Sequence, residues 1–366
     1  MRILFTESSN NLGGQELQLL QQLSILPEYG AECRLVCRAG SRISEQGSVQ
    51  GVALSHAPFA RAIDTTSIRA LRSIVAQWRP DAIVAHGSPD FYAARLAIVR
   101  TSPRPALFRV KTYHTGGHSG WLHSWLSDGV LVPSEFLRRT ICTSRLPRHA
   151  NIHVLYPGVQ FYDTKESVQD SMKGEMAKEG PTAQADLSHP VICHVAMLRG
   201  EKGHLFMLDV VAALKDRYPS IRYVIIGDGP ERERVESRIR DLKLTRHVVM
   251  LGFLSSPHEQ VLASTVAVNP ATVEPLGMSQ IEALGLGVPV VANRAGGIPE
   301  TFIDKHHGAL CEPGSVDQWV ASLKEIFEDE KAARVRAEMG SRWVRSRFSC
   351  AENAEKLVSM ISAHIR

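Results

Sequence analysis

The sequence lacks the motifs of several common α/β chemistries. It has no D-x-D, no Walker loop, no G-x-G-x-x-G fingerprint and no G-x-S-x-G nucleophile elbow. These absences argue against a carboxylate-held metal, a P-loop, a dinucleotide cofactor and a serine hydrolase. No group of His, Asp and Glu residues has metal-ligand spacing, so we expect neither a metal nor a resident cofactor.

The sequence also lacks the regularly spaced cysteines of a disulfide framework, and it has no long apolar run. The six cysteines form no C-x-x-C pair and no regular spacing, which favours packing in a reducing compartment over disulfides or zinc. No stretch approaches the roughly 18 apolar residues of a membrane span, and "MRILFTESS" is too short an apolar run for a signal peptide. We therefore expect a cytoplasmic protein, and peripheral attachment at the inner face of the plasma membrane stays open.

The length and the charge distribution indicate two different halves. At 366 residues the chain exceeds what one hydrophobic core usually serves, so two domains are expected. Residues 1–163 carry 17 Lys and Arg against 11 Asp and Glu, a net +6, whereas the remainder carries 25 against 27. The basic half suggests an anionic partner, with ordinary surface variation as the alternative. Basic residues are not interleaved with aromatics, so nucleic acid is not an expected partner.

Short apolar runs alternate with amphipathic helical patterns along the whole chain. This alternation predicts parallel sheets wound by right-handed crossovers, and therefore an α/β fold with two doubly wound, Rossmann-like domains. The predicted strands are 2–6, 32–38, 81–87, 106–110, 129–134, 152–158, 191–198, 223–229, 248–253, 266–271 and 288–292. The predicted divisions are an N-terminal domain (1–163), a polar linker or insertion (164–189), a C-terminal domain (190–344) and a final helical segment (345–366).

Candidate binding residues follow the strands, because ligands of open α/β sheets collect at the carboxyl ends of the strands. Gly13 and Gly14 allow a close backbone approach before a helix, although a purely structural turn explains them equally well. Arg199 and Lys202 place two cations beside a helix start, where they can neutralise a diphosphate. His114 lies in a glycine-containing loop and can hydrogen-bond a hydroxyl or a phosphate.

Two carboxylates stand out in "VEPLGMSQIEALGLGVPVV", residues 273–291. Glu274 precedes a helix expected from about Met278, and Glu282 lies about one turn into it. Both can face one bound molecule and accept paired hydroxyl groups. The structural alternative is that Glu274 flanks the helix while Glu282 forms a surface pair.

These segments resemble, in order along nearly the whole chain, a GT-B glycosyltransferase of the large retaining family 4. The matching segments are "GGQE" (13–16), "TYHTG" (112–116), "VPSEFLRR" (132–139), "YPGV" (156–159), "RGEKG" (199–203), "IGDGP" (226–230) and "VEPLGMSQIEALGLGVPVVANRAGGIPE" (273–300). The resemblance implies two Rossmann-like domains that face each other across a cleft, with the final helix crossing back to the first domain. "EPLG" departs from the usual "EGFG", so no particular sugar is carried over.

The resemblance also implies a role for each matching residue. Glu274 is expected to contact the transferred sugar, with His114 beside the reacting centre; these two are the catalytic candidates. Glu282 would hold the ribose diol of the nucleotide. The diphosphate would be bound by Arg199 and Lys202 and by backbone N–H groups. Those N–H groups belong to Gly13, Gly14, Gly277 and Met278, and His86 is the acceptor-side candidate.

The activity implied is that of a bacterial, metal-independent hexosyltransferase of class EC 2.4. It would transfer a hexose-type sugar from UDP or GDP, with retention, to a cell-surface glycan or lipid-linked acceptor. Lipopolysaccharide, exopolysaccharide and glycolipid synthesis are the expected settings. Two alternatives stay open at this stage: a nucleotide-sugar epimerase, and a non-catalytic GT-B binding protein.

Overall fold

A computed structural model describes residues 1–61, 63–113, 125–142, 151–161 and 189–365. The chain divides into two compact units. The first unit comprises residues 1–160 together with 348–366, and the second comprises residues 161–347. Each unit is an α/β structure with its own parallel sheet, and the two are described in turn.

The first unit is built on a seven-stranded parallel sheet with the order β3-β2-β1-β4-β5-β6-β7. The order reverses between β1 and β4, and the two strands pair in parallel from Ile3 opposite Ala82 to Thr6 opposite Ala85. Such a reversal leaves a crevice at the carboxyl ends of the neighbouring strands. The strands are β1 (Arg2–Glu7), β2 (Glu32–Cys37), β3 (Leu54–His56), β4 (Ala82–Ala85), β5 (Ala106–Val110), β6 (Gly129–Val132) and β7 (Ile152–Val154).

Helices cover both faces of this sheet. Those between the strands are α1 (Gly14–Ile25), α2 (Arg42–Val49), α3 (Thr65–Trp78), α4 (Ser88–Ala97) and α5 (Glu135–Cys142), with a 3-10 turn at Leu26–Tyr29. Side chains of α1 pack with Phe5 on one face, and side chains of α3 and α4 pack with Leu4 on the other. The alternating side chains of β1 therefore contribute to two separate cores.

The second unit repeats the arrangement with six parallel strands in the order β10-β9-β8-β11-β12-β13. They are β8 (Val191–Val195), β9 (Arg222–Ile226), β10 (Val248–Gly252), β11 (Val266–Asn269), β12 (Val290–Asn293) and β13 (Ala309–Cys311). The reversal here lies between β8 and β11, where Val266 pairs with Ile192. The loops after β8 and β11 are therefore brought to one edge of the sheet.

The helices of the second unit are α6 (His204–Leu214), α7 (Arg232–Asp241), α8 (His258–Leu262), α9 (Met278–Gly285), α10 (Val316–Glu328) and α11 (Glu330–Phe348). Two 3-10 turns lie at Gly200–Lys202 and Ile298–Glu300. The core contains the fully buried Trp319 and Tyr223. No helix among the described residues is long and apolar enough to cross a membrane.

The predicted fold class, with two doubly wound parallel sheets, is confirmed. Each predicted strand is present, although the run predicted as 152–158 forms a strand only at Ile152–Val154. Two edge strands, β3 and β13, were not predicted, because their three residues (LSH and ALC) form no run of branched apolar side chains. Five described cysteines are free. Most of the predicted linker, from residue 164 to 188, lies outside the described residues.

The last helix, α12 (Cys350–Ser362), packs on α1 within the first unit. Asn353 makes the central polar contact. Its amide nitrogen donates to the Tyr156 carbonyl at 2.6 Å, and its oxygen accepts a bond from the Gln22 amide at 2.7 Å. One buried amide thus joins α12, α1 and the segment after β7.

We expect Asn353→Ala to loosen this packing. The substitution removes the bonds that Asn353 makes to the Tyr156 carbonyl and the Gln22 amide, a loss of about 1–3 kcal/mol. Hydrogen–deuterium exchange should show faster exchange in α1 and α12, with the second unit unchanged. Glu355→Ala, an exposed change on the same helix, is the control. Equal protection in both variants would contradict the role given to Asn353.

Candidate functional site

Two cations lie in the loop after β8. Arg199 is exposed, and among the described residues its guanidinium has no hydrogen-bond or ion-pair partner. Lys202 ends the short 3-10 turn and is followed by Gly203, which has φ +76°. A Cβ atom at Gly203 would lie 2.5 Å from the Pro270 carbonyl oxygen, so the loops after β8 and β11 touch here.

The loop after β11 brings Glu274 to Lys202. The Lys202 ammonium donates to Glu274 Oε2 at 2.7 Å, and the side chains are only 21% and 15% exposed. A second link lies beside it, where the Thr272 backbone N–H donates to the Glu201 carbonyl at 2.9 Å. Two predicted site residues that are 72 positions apart in the chain are therefore in direct contact.

Glycines fix the backbone at Glu274. The Gly297 backbone N–H donates to the Glu274 carbonyl at 2.9 Å. A Cβ atom at Gly296 would lie 2.0 Å from that same carbonyl oxygen, and one at Gly297 would lie 2.1 Å from the Pro275 oxygen. The "AGG" turn at 295–297 thus packs directly on the backbone of the "EPLG" segment, which explains why two glycines are required there.

The start of α9 presents backbone donors. Gly277 has φ +99° and precedes Met278, the first helical residue, so the first N–H groups of α9 have no partners inside the helix. Gln280 stabilises this turn through two hydrogen bonds. Its side-chain nitrogen donates to the Leu276 carbonyl at 3.0 Å, and its side-chain oxygen accepts from the Asn269 amide at 2.6 Å. The buried network gives the N–H groups of Gly277 and Met278 a fixed direction.

Glu282 has a different environment from Glu274. It is half-buried, and no hydrogen bond or ion pair is made by its carboxylate among the described residues. Loss of hydration raises its pKa from the ordinary 4.5 to about 7. Hydroxyl groups of a ligand that donate hydrogen bonds to the Glu282 carboxylate stabilise its ionised form.

Two buried histidines lie behind Lys202. The rings of His194 and His204 stack at a centroid separation of 4.2 Å, and the His194 Nδ1 bonds the Tyr223 hydroxyl at 2.7 Å. Burial, and then the Lys202 charge, lowers the pKa of His204 to about 4. The pair is therefore neutral at physiological pH and does not compete with Lys202 for an anion.

In the first unit, the glycine turn lies at the carboxyl end of β1. The Gly13 N–H donates to Glu16 Oε2 at 2.8 Å, so this N–H is already engaged by the side chain that caps α1. Gly14 is the first helical residue, and its N–H has no partner inside the helix. Of the two predicted backbone donors, Gly14 is thus the one available in this conformation.

Polar side chains tie this turn to β5. Glu7, which is 1% exposed, accepts from the Ser9 N–H at 2.8 Å and from the Gln15 amide at 3.0 Å. The other end of Gln15 accepts a 2.7 Å bond from the Thr112 hydroxyl. Burial raises the pKa of Glu7 above its ordinary value.

His86 is buried beside these groups. Its Nδ1 lies 3.3 Å from the Thr6 carbonyl oxygen, and burial lowers the pKa of the imidazole to about 4. The neighbouring Asp90 accepts from the Thr6 hydroxyl at 2.8 Å and from the backbone N–H of His86 at 3.0 Å. Of the two ring nitrogens of His86, Nε2 has no hydrogen bond among the described residues and is therefore the one available to a ligand.

Several charged residues at this edge were not predicted from the sequence. Glu7, Arg109 and Lys111 lie at the carboxyl ends of β1 and β5, and Asp90 lies in the first turn of α4, the helix that follows β4; all four are less than 9% exposed. A charged residue at the end of a predicted strand is the signal that would have found Glu7, Arg109 and Lys111. His114 lies outside the described residues. Within the described residues, no group of three His, Cys, Asp or Glu side chains is arranged to hold a metal.

The pKa of Glu282 gives a testable dependence of stability on pH. Since the folded state raises this pKa from 4.5 to about 7, the folded protein binds the extra proton between those values. Stability should fall as pH rises through that window, by up to about 3 kcal/mol. Urea denaturation of the wild type and of Glu282→Gln should therefore converge near pH 4.5 and diverge above pH 7, with the Gln variant more stable. Parallel pH profiles for the two proteins would contradict this shift.

Comparison with known proteins identifies the family. Residues 12–161 match the family described as Glycosyltransferase Family 4, and residues 179–343 match Glycosyl transferases group 1. Glycogen synthase of Mycobacterium tuberculosis is 27% identical over 282 residues, which cover 74% of this chain and 66% of that enzyme. A GDP-mannose-dependent alpha-(1-6)-phosphatidylinositol monomannoside mannosyltransferase of Mycolicibacterium smegmatis is 28% identical over 252 residues, which cover 64% of this chain and 62% of that enzyme.

The chain thus spans about two thirds, or less, of the length of these relatives. Among solved structures, Anabaena Alr3699/HepE in complex with UDP and glucose superposes with a TM-score of 0.81 at 19% identity. That match covers 99% of this chain and 100% of the other, and it shows a shared fold. With parallel-sheet α/β units and family matches along most of its length, the chain belongs to the family 4 glycosyltransferases of GT-B fold.

Proposed function

We propose that the protein is a retaining hexosyltransferase that uses a UDP- or GDP-activated sugar. The observation that carries the proposal is the grouping at the carboxyl edge of the second sheet. There, Lys202 and Glu274 form an ion pair, and neither the guanidinium of Arg199 nor the carboxylate of Glu282 has a partner among the described residues. Two cations with backbone donors suit a diphosphate, and carboxylates suit the hydroxyl groups of a sugar and a ribose.

The roles divide by environment. Arg199 and Lys202 neutralise the diphosphate, assisted by the N–H groups of Gly277 and Met278 at the start of α9. In the first unit, the N–H groups of Gly13 and Gly14 are the proposed phosphate donors, and that of Gly13 is bonded to Glu16 in this conformation. Glu274 accepts hydroxyl groups of the transferred sugar, and its bond to Lys202 holds it in place. Glu282 accepts the ribose diol, which repays its unfavourable desolvation.

The chemical step is a front-face displacement. The bond from the anomeric carbon to the diphosphate oxygen breaks, and a bond to the acceptor oxygen forms on the same face. The acceptor proton passes to the departing diphosphate, so no separate base is required. Positive charge from Arg199 and Lys202 is most valuable as the leaving group develops its charge. For His114 we propose a place beside the reacting centre, and for His86 a contact with the acceptor.

The acceptor we propose is a cell-surface glycan or a lipid-linked glycan, in the cytoplasm or at the inner face of the plasma membrane. The mannosyltransferase relative, whose name specifies GDP-mannose and phosphatidylinositol monomannoside, supports this class. The basic first half of the chain, with a net +6 over residues 1–163, favours an anionic or membrane-borne acceptor. High-salt release from membranes would show that such attachment is electrostatic.

A donor screen tests the proposal. Purified protein is incubated with UDP- and GDP-sugars in the presence of EDTA, and the released nucleotide is detected by mass spectrometry. We expect slow hydrolysis of one donor and thermal stabilisation by it, both lost in Glu282→Ala. Glu233→Gln, an exposed change in the same unit, should behave as the wild type. Stabilisation of Glu282→Ala equal to that of the wild type would defeat the ribose assignment. Interconversion of the donor sugar without acceptor would instead indicate an epimerase.

The free guanidinium of Arg199 gives a separate prediction. Arg199→Met should weaken UDP binding about 10- to 100-fold, the effect of losing a hydrogen bond to a charged group. Uridine, which has no diphosphate, should bind both proteins equally in a calorimetric titration. Arg240→Met removes an exposed charge from the same unit and serves as the control. Equal losses for UDP and uridine would contradict a phosphate contact.

A further inference from the structure

Lys111 is an unusual residue of the first unit. It directly follows β5, at the carboxyl edge of the sheet, and is only 6% exposed. It is also the single lysine among residues 1–160, where the other 16 basic residues are arginines. A buried lysine at the edge where ligands of parallel sheets collect requires an explanation.

The Lys111 ammonium has no partner among the described residues, neither a hydrogen bond nor an ion pair. It still reaches the surface, since it is not one of the fully enclosed polar atoms without partners. Arg109 lies on the same face of the strand, two residues earlier. Burial, and then the Arg109 charge, lowers the pKa of Lys111, and no carboxylate acts on it in the opposite direction.

The buried carboxylates at this edge bond to groups other than Lys111, and Asp90 Oδ1, although buried, has no hydrogen-bond partner among the described residues. Asp90 accepts from the Thr6 hydroxyl and from backbone N–H groups, and Glu7 accepts from Ser9 and Gln15. The charges of both carboxylates also raise the pKa of Arg109. The Arg109 guanidinium donates to the Ala85 carbonyl at 3.1 Å and to the carbonyls of His86 and Val110. Among the described residues of the first unit, no carboxylate therefore serves as a counter-charge for Lys111.

We propose that Lys111 binds an anionic oxygen of a substrate, a phosphate or a carboxylate, at the carboxyl edge of the first sheet. The geometry suits this role, because protein encloses the aliphatic part of the Lys111 side chain while the ammonium group reaches the surface. An unpaired buried cation costs stability in the free protein, and an incoming anion removes that cost. The inference rests on the proposed function for its two sources of the anion: the diphosphate of the donor or an acid group on the acceptor.

The variant Lys111→Met tests the proposal because it removes the charge and keeps an unbranched chain. A residue with a structural role would destabilise the protein when replaced. We expect the opposite: unliganded Lys111→Met should melt at the same temperature as the wild type or at a higher one. Its affinity for the anionic probe should fall at least tenfold, and Lys111→Arg should restore part of it. Arg69→Met, an exposed charge removal in the same unit, should change neither quantity.

Calorimetric titrations with four probes identify the source of the anion. A loss confined to pyrophosphate and UDP-glucose assigns Lys111 to the donor diphosphate. A loss confined to glucose 6-phosphate and glucuronate assigns it to an acid group of the acceptor. Reductive methylation read by mass spectrometry gives an independent measure, because Lys111 is the only lysine in residues 1–160. The bound probe should protect it.

Two results would overturn the proposal. One is a Lys111→Met protein that melts lower than the wild type and binds all four probes equally well; the other is methylation of Lys111 that no probe slows. Failure of the proposed function has a different signature. In that case the wild type would bind no nucleotide or nucleotide sugar, while its binding of glucose 6-phosphate or glucuronate would still depend on Lys111.

Discussion

The contact between Lys202 and Glu274 organises the candidate donor site. It joins the loops after β8 and β11, the two strands between which the order of the second sheet reverses. A partly buried ion pair of this kind adds little net stability, because desolvation offsets most of the attraction. Its value is positional: it holds an ammonium and a carboxylate at one edge, where a charged leaving group and a hydroxyl-rich sugar need opposite charges close together.

The surrounding backbone makes this pair rigid, while the other groups are left free for ligands. Gly296 and Gly297 pack against the backbone of residues 274–275, and Gln280 braces the start of α9. By contrast, Arg199 and Glu282 have no partners among the residues described. Lys111 in the first unit also has no partner among the described residues, and its side chain is buried. A buried charge without a partner, such as that of Lys111, is costly in the free protein and is therefore informative about ligands.

The fold was predictable because its determinants are local. Apolar runs that alternate with helical patterns identify a doubly wound sheet, and the spacing of Glu274 and Glu282 placed them before and inside α9. The three-residue strands β3 and β13 leave no such pattern. Partners distant in sequence were also beyond reach: the bond of Thr6 to Asp90 spans 84 positions and that of Thr112 to Gln15 spans 97. Local patterns do not encode such pairs, so the buried polar cluster of the first unit emerged only from the structure.

Proton release on donor binding is the most direct test of the ribose-binding role that we propose for Glu282. If Glu282 is largely protonated in the free protein and ionised when it accepts a diol, binding must expel its proton. With a pKa of about 7, titration of a nucleotide sugar at pH 6.5 should release about three quarters of a proton. Calorimetry in buffers of different ionisation enthalpy measures this number, and the diphosphate diester of the donor does not itself titrate near neutral pH. The account predicts release by the wild type and none by Glu282→Gln; binding without proton release by the wild type would contradict it.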